Sequence, residues 1–96
     1  MTMHPSPLDR RLVVNQDVVF RDIEGETVLL HLERGIYFGL DPVGTRVWTA
    51  LVEHGRARPA VAALVEEFEV TPDTLEHDIA RLLDALTEHD LVRAEP

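Results

Sequence analysis

The segment between residues 26 and 48 constrains the fold of this chain more than any other part of the sequence. Two β-prone runs, residues 27–32 and 36–40, flank a turn-like Glu33-Arg34-Gly35, and the second run leads directly into Asp41-Pro42. Asp is a favoured N-cap, and Pro suits the first helical position because its missing N–H would have no partner there. The segment therefore predicts a strand hairpin that passes directly into a helix.

The first half of the chain is predicted to be an antiparallel meander of three strands. Short β-prone runs lie at residues 12–14 and 18–20, and a hairpin turn is expected around Gly25 before the next strand. Because side chains alternate along a strand, Leu29 and Leu30 must lie on opposite faces of the sheet.

Three helices are predicted in the second half. The first begins at Asp41 and ends at Gly55, the second opens at Pro59, and the third runs from Thr71-Pro72 to His89-Asp90. Helices segregated after an antiparallel sheet indicate an α+β domain with the order β-β-β-α-α-α.

The domain organisation is expected to be simple. Residues 1–11 are rich in proline and are predicted to form a disordered leader segment, and residues 12–96 a single domain. The chain has no cysteine and no lysine, and its one serine, Ser6, lies in that segment. Thiolate metal sites, cysteine nucleophiles, Schiff-base lysines and a phosphate-binding loop are thereby excluded.

The charge of the chain disfavours a nucleic-acid partner. Its formal net charge is −9, and binding to a phosphate backbone depends on basic residues. No apolar run approaches the ~20 residues of a membrane span, so we expect no membrane partner and a cytoplasmic location. Asp73 and His77 have a helical spacing that can hold a metal, but no third ligand is evident, and no metal, cofactor or catalytic residue is assigned.

The strand at residues 36–40 is the main candidate for function. If it lies at the edge of its sheet, its unpaired backbone groups can pair with another extended chain. Since the sequence offers few residues for chemistry, it predicts a binding protein rather than an enzyme.

The chain resembles the PqqD-like family over residues 12–93. The resemblance rests on Gly35, Tyr37, Phe38, Leu40-Asp41, Gly44, Val47-Trp48, the apolar helix 61–68 and a leucine-rich third helix that ends in Leu91-Val92. Members of that family are small winged helix-turn-helix-like domains that recognise the leader regions of ribosomally made, modified peptides. In the family the leader adds as an antiparallel strand beside the strand at 36–40 and is covered on one side by the third helix.

The resemblance implies a non-catalytic protein with two partners, a precursor leader peptide and a leader peptidase or other modifying enzyme. We expect the stand-alone type that serves lasso-peptide biosynthesis. Carried to this chain, the peptide-binding residues are Leu30, Ile36, Tyr37, Phe38, Gly39, Leu40, Asp78, Arg81, Leu82 and Ala85. Phe38, Leu30 and Leu82 are the expected pocket walls, and Tyr37, Asp78 and Arg81 are expected at the polar rim.

Two other functions remain open at this point. One is the peptide chaperone of pyrroloquinoline quinone biosynthesis, which belongs to the same family. The other is a winged-helix DNA-binding regulator, since the order of elements is compatible with that fold. Its recognition helix would be the third, which between residues 73 and 90 carries six acidic residues against Arg81 alone, a balance that repels phosphates. For Ile36, Phe38 and Leu40 the alternative role is ordinary core packing.

Overall fold

The computed structural model describes residues 6–95. Its elements are a 3-10 helix at Pro7–Asp9, strands β1 (Leu12–Val14), β2 (Val18–Ile23), β3 (Glu26–His31) and β4 (Ile36–Leu40), helices α1 (Pro42–His54), α2 (Pro59–Glu67) and α3 (Pro72–Glu88), and strand β5 (Val92–Ala94). The predicted α+β class, with a three-stranded antiparallel sheet followed by three helices, is confirmed.

The main sheet has the order β2-β3-β4 and is antiparallel throughout. Thr27 pairs with Leu40 and His31 with Ile36 across the β3–β4 hairpin. Side chains of β3 alternate as predicted, and Leu29 points into the core while Val28 is exposed. The helices therefore cover the face that carries Leu29, and the opposite face of the sheet is open.

The predicted boundaries of α1 and α3 are confirmed by their caps, whereas α2 begins at Pro59 as predicted but without a side-chain cap. The Asp41 side chain accepts a hydrogen bond from the Gly44 N–H, and Gly55 ends α1 with a φ of 75° in the left-handed region that glycine tolerates. Thr71 caps α3 in the same way as Asp41 caps α1, and His89 ends it.

A single core lies between the sheet and the helices. Its largest fully buried side chains include Trp48 of α1, Leu29 of β3, Leu64 of α2 and Ile79 of α3. Phe20 of β2 packs edge-on against Trp48, with ring centroids 5.5 Å apart.

A second, two-stranded sheet joins the two ends of the described chain. Leu12 of β1 pairs with Ala94 of β5, and Val14 pairs with Val92. The sequence predicted β structure at residues 12–14 and the return of residues 91–92 to the core, but it did not predict that the two segments pair with each other.

The structure differs from the expected disordered leader segment at residues 6–11, while residues 1–5 lie outside the described part. Leu8, in the 3-10 helix, is only 1% exposed. Arg58 makes two hydrogen bonds of 3.0 Å to the Asp9 carboxylate and one of 2.9 Å to Glu76 of α3. Burying a leucine contributes about 1.5–3 kcal/mol, which offsets only part of the roughly 1–2 kcal/mol of conformational entropy lost for each ordered residue, and the hydrogen bonds from Arg58 to Asp9 also hold the segment in place.

Candidate functional site

Strand β4 is an edge strand in the part of the chain that the structure describes. It pairs with β3 alone, and in an antiparallel strand every second residue directs its N–H and C=O away from the paired neighbour. A five-residue edge therefore offers roughly four to six backbone groups to an incoming chain.

A cavity of about 440 Å³ lies beside this edge, between the end of β4, the first turn of α1 and the middle of α3. Its lining residues are Gly39, Leu40, Asp41, Val43, Gly44, Asp78, Ile79 and Leu82. Leu40 and Ile79 are almost fully buried and form its floor, while Asp78 is exposed at its rim. The cavity thus combines an apolar floor with a polar mouth, which is the composition of a site for side chains of a ligand.

Four of the predicted site residues meet at this cavity: Gly39, Leu40, Asp78 and Leu82. The sequence analysis missed Asp41, Val43, Gly44 and Ile79. Asp41, Val43 and Gly44 follow β4 directly in the chain and form the start of α1. The first turn of α1 is therefore part of the cavity lining, together with the end of β4. Ile79 is next to Asp78 and reaches the cavity from the core side.

The wall continues from the cavity towards the end of α3. Phe38 is half-buried, and its ring lies edge-on to the ring of His89, with the centroids 5.4 Å apart. His89 in turn contacts the carbonyl of Ala85 through its backbone N–H at 3.0 Å and its Nδ1 at 2.8 Å. His89 was not among the predicted site residues. The sequence could have indicated His89, because it lies seven residues after Leu82 and four after Ala85, a spacing that places the three residues on one helix face.

These residues outline a cleft between β4 and α3, which we define by Phe38, Leu40, Leu82, Ala85 and His89. The half-buried Ile36 lies on the same face of β4 as Phe38 and Leu40, since the three alternate with Tyr37 and Gly39.

The prediction that Leu30 and Leu82 wall one pocket is wrong. Leu30 pairs with Tyr37 across the hairpin, and both lie on the open face of the sheet, opposite to the helices. There they line a shallow apolar depression together with Val19, Ile23 and Val28. Tyr37 is 73% exposed, so it lies on this outer face rather than at the rim of the cavity.

Arg81 does not line the cavity. Its side chain is exposed on α3, and in residues 6–95 no ion pair joins it to Asp78 or any other acid. Its assignment to the site stays a prediction without a supporting contact.

The perturbed carboxylates lie outside the cavity. Hydrogen bonding from His31, with smaller contributions from Arg93 and Arg34, lowers the pKa of Asp90 below its ordinary value. Hydrogen bonding from Arg58 lowers the pKa of Asp9 in the same way. Both shifts belong to groups that hold the fold together, and neither marks a catalytic acid or base.

Among residues 6–95, no group of three or more histidine or acidic side chains is arranged to hold a metal ion, so Asp73 and His77 gain no third ligand. None of the helices there has the length and apolar character that a membrane crossing requires.

Comparison with known proteins gives a family and two similar structures. Residues 26–92 match the family model described as "Coenzyme PQQ synthesis protein D (PqqD)". The structure described as "TbiB1 in Complex with the TbiA(beta) Leader Peptide" is 40% identical, with a TM-score of 0.77, and the match covers 86% of this chain and 96% of that one.

The structure described as "Lasso peptide synthetase B1 complexed with the leader peptide" is 22% identical, with a TM-score of 0.77 and coverage of 86% and 98%, and it supports the fold alone. No curated protein matched the sequence. The matched residues 26–92 run from β3 to the start of β5 and contain the whole cleft, and on this evidence the chain belongs to the PqqD family.

Proposed function

We propose that this protein is a non-catalytic recognition element that binds the leader region of a ribosomally synthesised precursor peptide in the cleft between β4 and α3. The observation that carries the proposal is the free edge of β4 beside an apolar cavity. The 40% identical TbiB1, whose structure is described in complex with a leader peptide, supports it. The leader would add to β4 as an antiparallel strand, with α3 along one side.

Backbone pairing alone does not give useful affinity. Four or five added hydrogen bonds contribute roughly 0.5–1.5 kcal/mol each, whereas ordering the peptide costs on the order of 1–2 kcal/mol per residue. Submicromolar binding requires more than about 8 kcal/mol. The surplus must come from peptide side chains that enter the cavity over Leu40, Ile79 and Leu82, at roughly 1.5–3 kcal/mol for each one fully buried.

The alternation of the added strand divides its side chains between two surfaces. Every second side chain faces the cleft, and the others face the outer side of the sheet, next to Tyr37. We therefore propose that Leu30 and Tyr37 contact the peptide from the outer face, which is a different role from the pocket wall expected for Leu30.

The second partner is proposed to be a leader peptidase or another modifying enzyme. The part of the apolar outer face formed by Val19, Ile23 and Val28 stays accessible when the cleft is filled, because it lies on the other side of the sheet and belongs to β2 and β3 rather than to β4. We propose this face as the docking surface for that enzyme. Holding both partners raises the effective concentration of the precursor at the enzyme. Since the precursor is a ribosomal product, the encounter takes place in the cytoplasm.

Lasso-peptide biosynthesis is the pathway we propose, on the strength of the 40% identity with TbiB1. The description of the family model favours a second candidate, the peptide chaperone of pyrroloquinoline quinone synthesis. The two differ in the peptide that binds, so a titration with both precursor peptides separates them.

The test of leader binding is fluorescence anisotropy with a labelled TbiA(beta) leader peptide, the ligand named in the structure of the 40% identical TbiB1. Ala85→Gln, which extends a half-buried side chain into the cleft, should weaken binding at least about tenfold, because one blocked subsite removes about 1.4 kcal/mol or more. Asp84→Gln on the exposed side of α3 is the matched control and should bind normally. Two peptides should be compared, one N-methylated at its odd-numbered and one at its even-numbered residues. Only one of the two should bind more weakly, because only every second peptide residue directs its N–H to β4.

Strand addition at β4 would be contradicted if Ala85→Gln and Asp84→Gln bound the leader with equal affinity and neither N-methylated peptide bound more weakly. Absence of binding to any leader peptide would contradict the proposed function as a whole.

A further inference from the structure

A polar cluster lies at the His89 end of the cleft and outside the site described above. It consists of Asn15, His31 and Asp90, which we call the Asn15–His31–Asp90 junction. His31 is 1% exposed and Asn15 is 3% exposed, whereas the side chain of Asp90 is 36% exposed. The three residues come from separate parts of the chain: the β1–β2 connection, the end of β3 and the residue after the cap of α3.

The hydrogen bonds of the junction are specific. The backbone N–H of Arg34 donates to His31 Nδ1 at 3.2 Å, so the ring proton lies on Nε2 and points to Asp90 Oδ2 at 3.3 Å. Asn15 Nδ2 donates to the Asp90 carbonyl at 2.9 Å and to its Oδ2 at 3.1 Å. One carboxylate thus receives donors from two other elements.

Asp90 also has an uncommon backbone. Its φ of 60° lies in the left-handed region, which Asp and Asn enter more readily than most residues. This turn directs the chain from α3 into Leu91, whose N–H donates to the Leu86 carbonyl. It leaves the preceding residue, His89, in contact with Phe38 of β4.

The junction therefore connects the two walls of the cleft. Arg34 lies in the turn that leads into β4, and its N–H is held by His31. Asp90 directly follows the residue that caps α3. Farther along the cleft, the cavity separates β4 from the middle of α3. The distance between β4 and α3 is therefore set at the end of the cleft where the junction lies.

We propose that Asp90 is a positioning residue for the peptide cleft: through His31 and Asn15 it holds the end of α3 at the distance from β4 that one extended strand requires. The inference rests on the proposed function and deepens it. Asp90 acts through the walls and does not itself contact the peptide. Loss of its side chain lets the cleft widen, and a site held too loosely loses affinity without losing any contact residue.

Two variants and a control test the proposal in leader-binding assays. Asp90→Gly keeps the left-handed backbone and the hydrogen bond from Asn15 to the carbonyl of residue 90 but removes the carboxylate that Asn15 and His31 contact, and it should weaken binding of the labelled leader about tenfold, mainly through faster dissociation. Asp90→Asn keeps the shape and both acceptor contacts, and it should bind within about threefold of wild type. Arg58→Ala loses the contacts to Asp9 and Glu76 instead, and it should lower thermal stability while leaving affinity unchanged.

Amide hydrogen exchange of the peptide-free protein gives a readout that does not depend on the ligand. Asp90→Gly should speed exchange in residues 36–40 and 85–91, while that of α2 stays at the wild-type rate. Unchanged exchange in these two segments overturns the inference, as does tenfold weaker binding by Arg58→Ala. A wild-type protein that binds no leader contradicts the proposed function, while the exchange experiment still decides whether Asp90 holds the two walls together.

Discussion

Truncation of Leu82 is the sharpest test of the cleft, because this side chain is only half-buried in the free protein and lines the cavity beside β4. Leu82→Ala removes three carbon atoms, and burial of each is worth about 0.8 kcal/mol. Since part of that burial already exists without peptide, we expect about half of it to be gained on binding. The result is a loss of about 1.2 kcal/mol, or roughly eightfold in Kd.

The cost to folding should be smaller than for a core residue. Ile79 is 1% exposed, and Ile79→Ala is expected to destabilise the fold by about 2–5 kcal/mol, whereas Leu82→Ala should cost about 1 kcal/mol. Calorimetric titration with the leader and urea unfolding of each variant measure the two quantities separately.

Val52→Ala is the matched control for this experiment. Val52 is 48% exposed on α1 and does not line the cavity beside β4, so its truncation should leave leader affinity unchanged. Wild-type affinity for Leu82→Ala would refute the argument that apolar anchors in this cavity supply the surplus binding energy. Equal weakening by Val52→Ala would show that the effect is not local.

Three further predictions concern the 3-10 helix, the two carboxylates with lowered pKa and the outer face of the sheet. Leu8→Ala should lower the free energy of unfolding by about 2–5 kcal/mol in urea, because this leucine is buried in the core; a change below about 0.5 kcal/mol would show that the 3-10 helix is dispensable. The folded pKa values of Asp9 and Asp90 are lowered, so their stabilisation is complete above the ordinary carboxyl pKa and is lost as pH falls through the lower folded values. Thermal midpoints below about pH 4 should therefore fall less steeply for Asp90→Asn than for wild type, and parallel curves would contradict this. Val28→Arg, on the outer face, should keep leader affinity and reduce leader cleavage by the proposed partner peptidase; weaker leader binding, or full cleavage, would contradict the division between the two faces.

Local signals in the sequence predicted most of the fold. Asp41 and Thr71 act as N-caps, and Gly55 ends α1, because each satisfies or permits backbone geometry through its own chemistry. The resemblance to the PqqD-like family, and not a local signal, implied that Leu40 and Leu82 lie beside the same peptide, and the structure brings both side chains to one cavity.

The error at Leu30 has a different origin. Alternation correctly separated Leu30 from Leu29, but a pocket shared with Phe38 required a particular pairing between the strands. The observed register pairs Leu30 with Tyr37 and Leu29 with Phe38. A shift of one residue in the pairing of β3 with β4 would change which side chains share a face with Leu30. The length of the turn at residues 32–35 determines this register.

Two other features lay beyond local signals. Leu8 is a single apolar residue among prolines and charges, so no periodicity marks it as buried. The pairing of Leu12 with Ala94 joins segments about 80 residues apart, and a three-residue strand carries no information about such a distant partner.

The pairing of β1 with β5 has a consequence for how the domain can be joined to other proteins. Because Leu12 and Ala94 are neighbours across the small sheet, an enzyme fused after Ala94 leaves the molecule beside Leu12. An enzyme fused ahead of the chain leaves instead from beyond the 3-10 helix, whose Leu8 is buried in the core. A circular permutant that bridges Ala94 directly to Leu12 would lose Leu8, so it should be less stable than one whose bridge keeps residues 6–11.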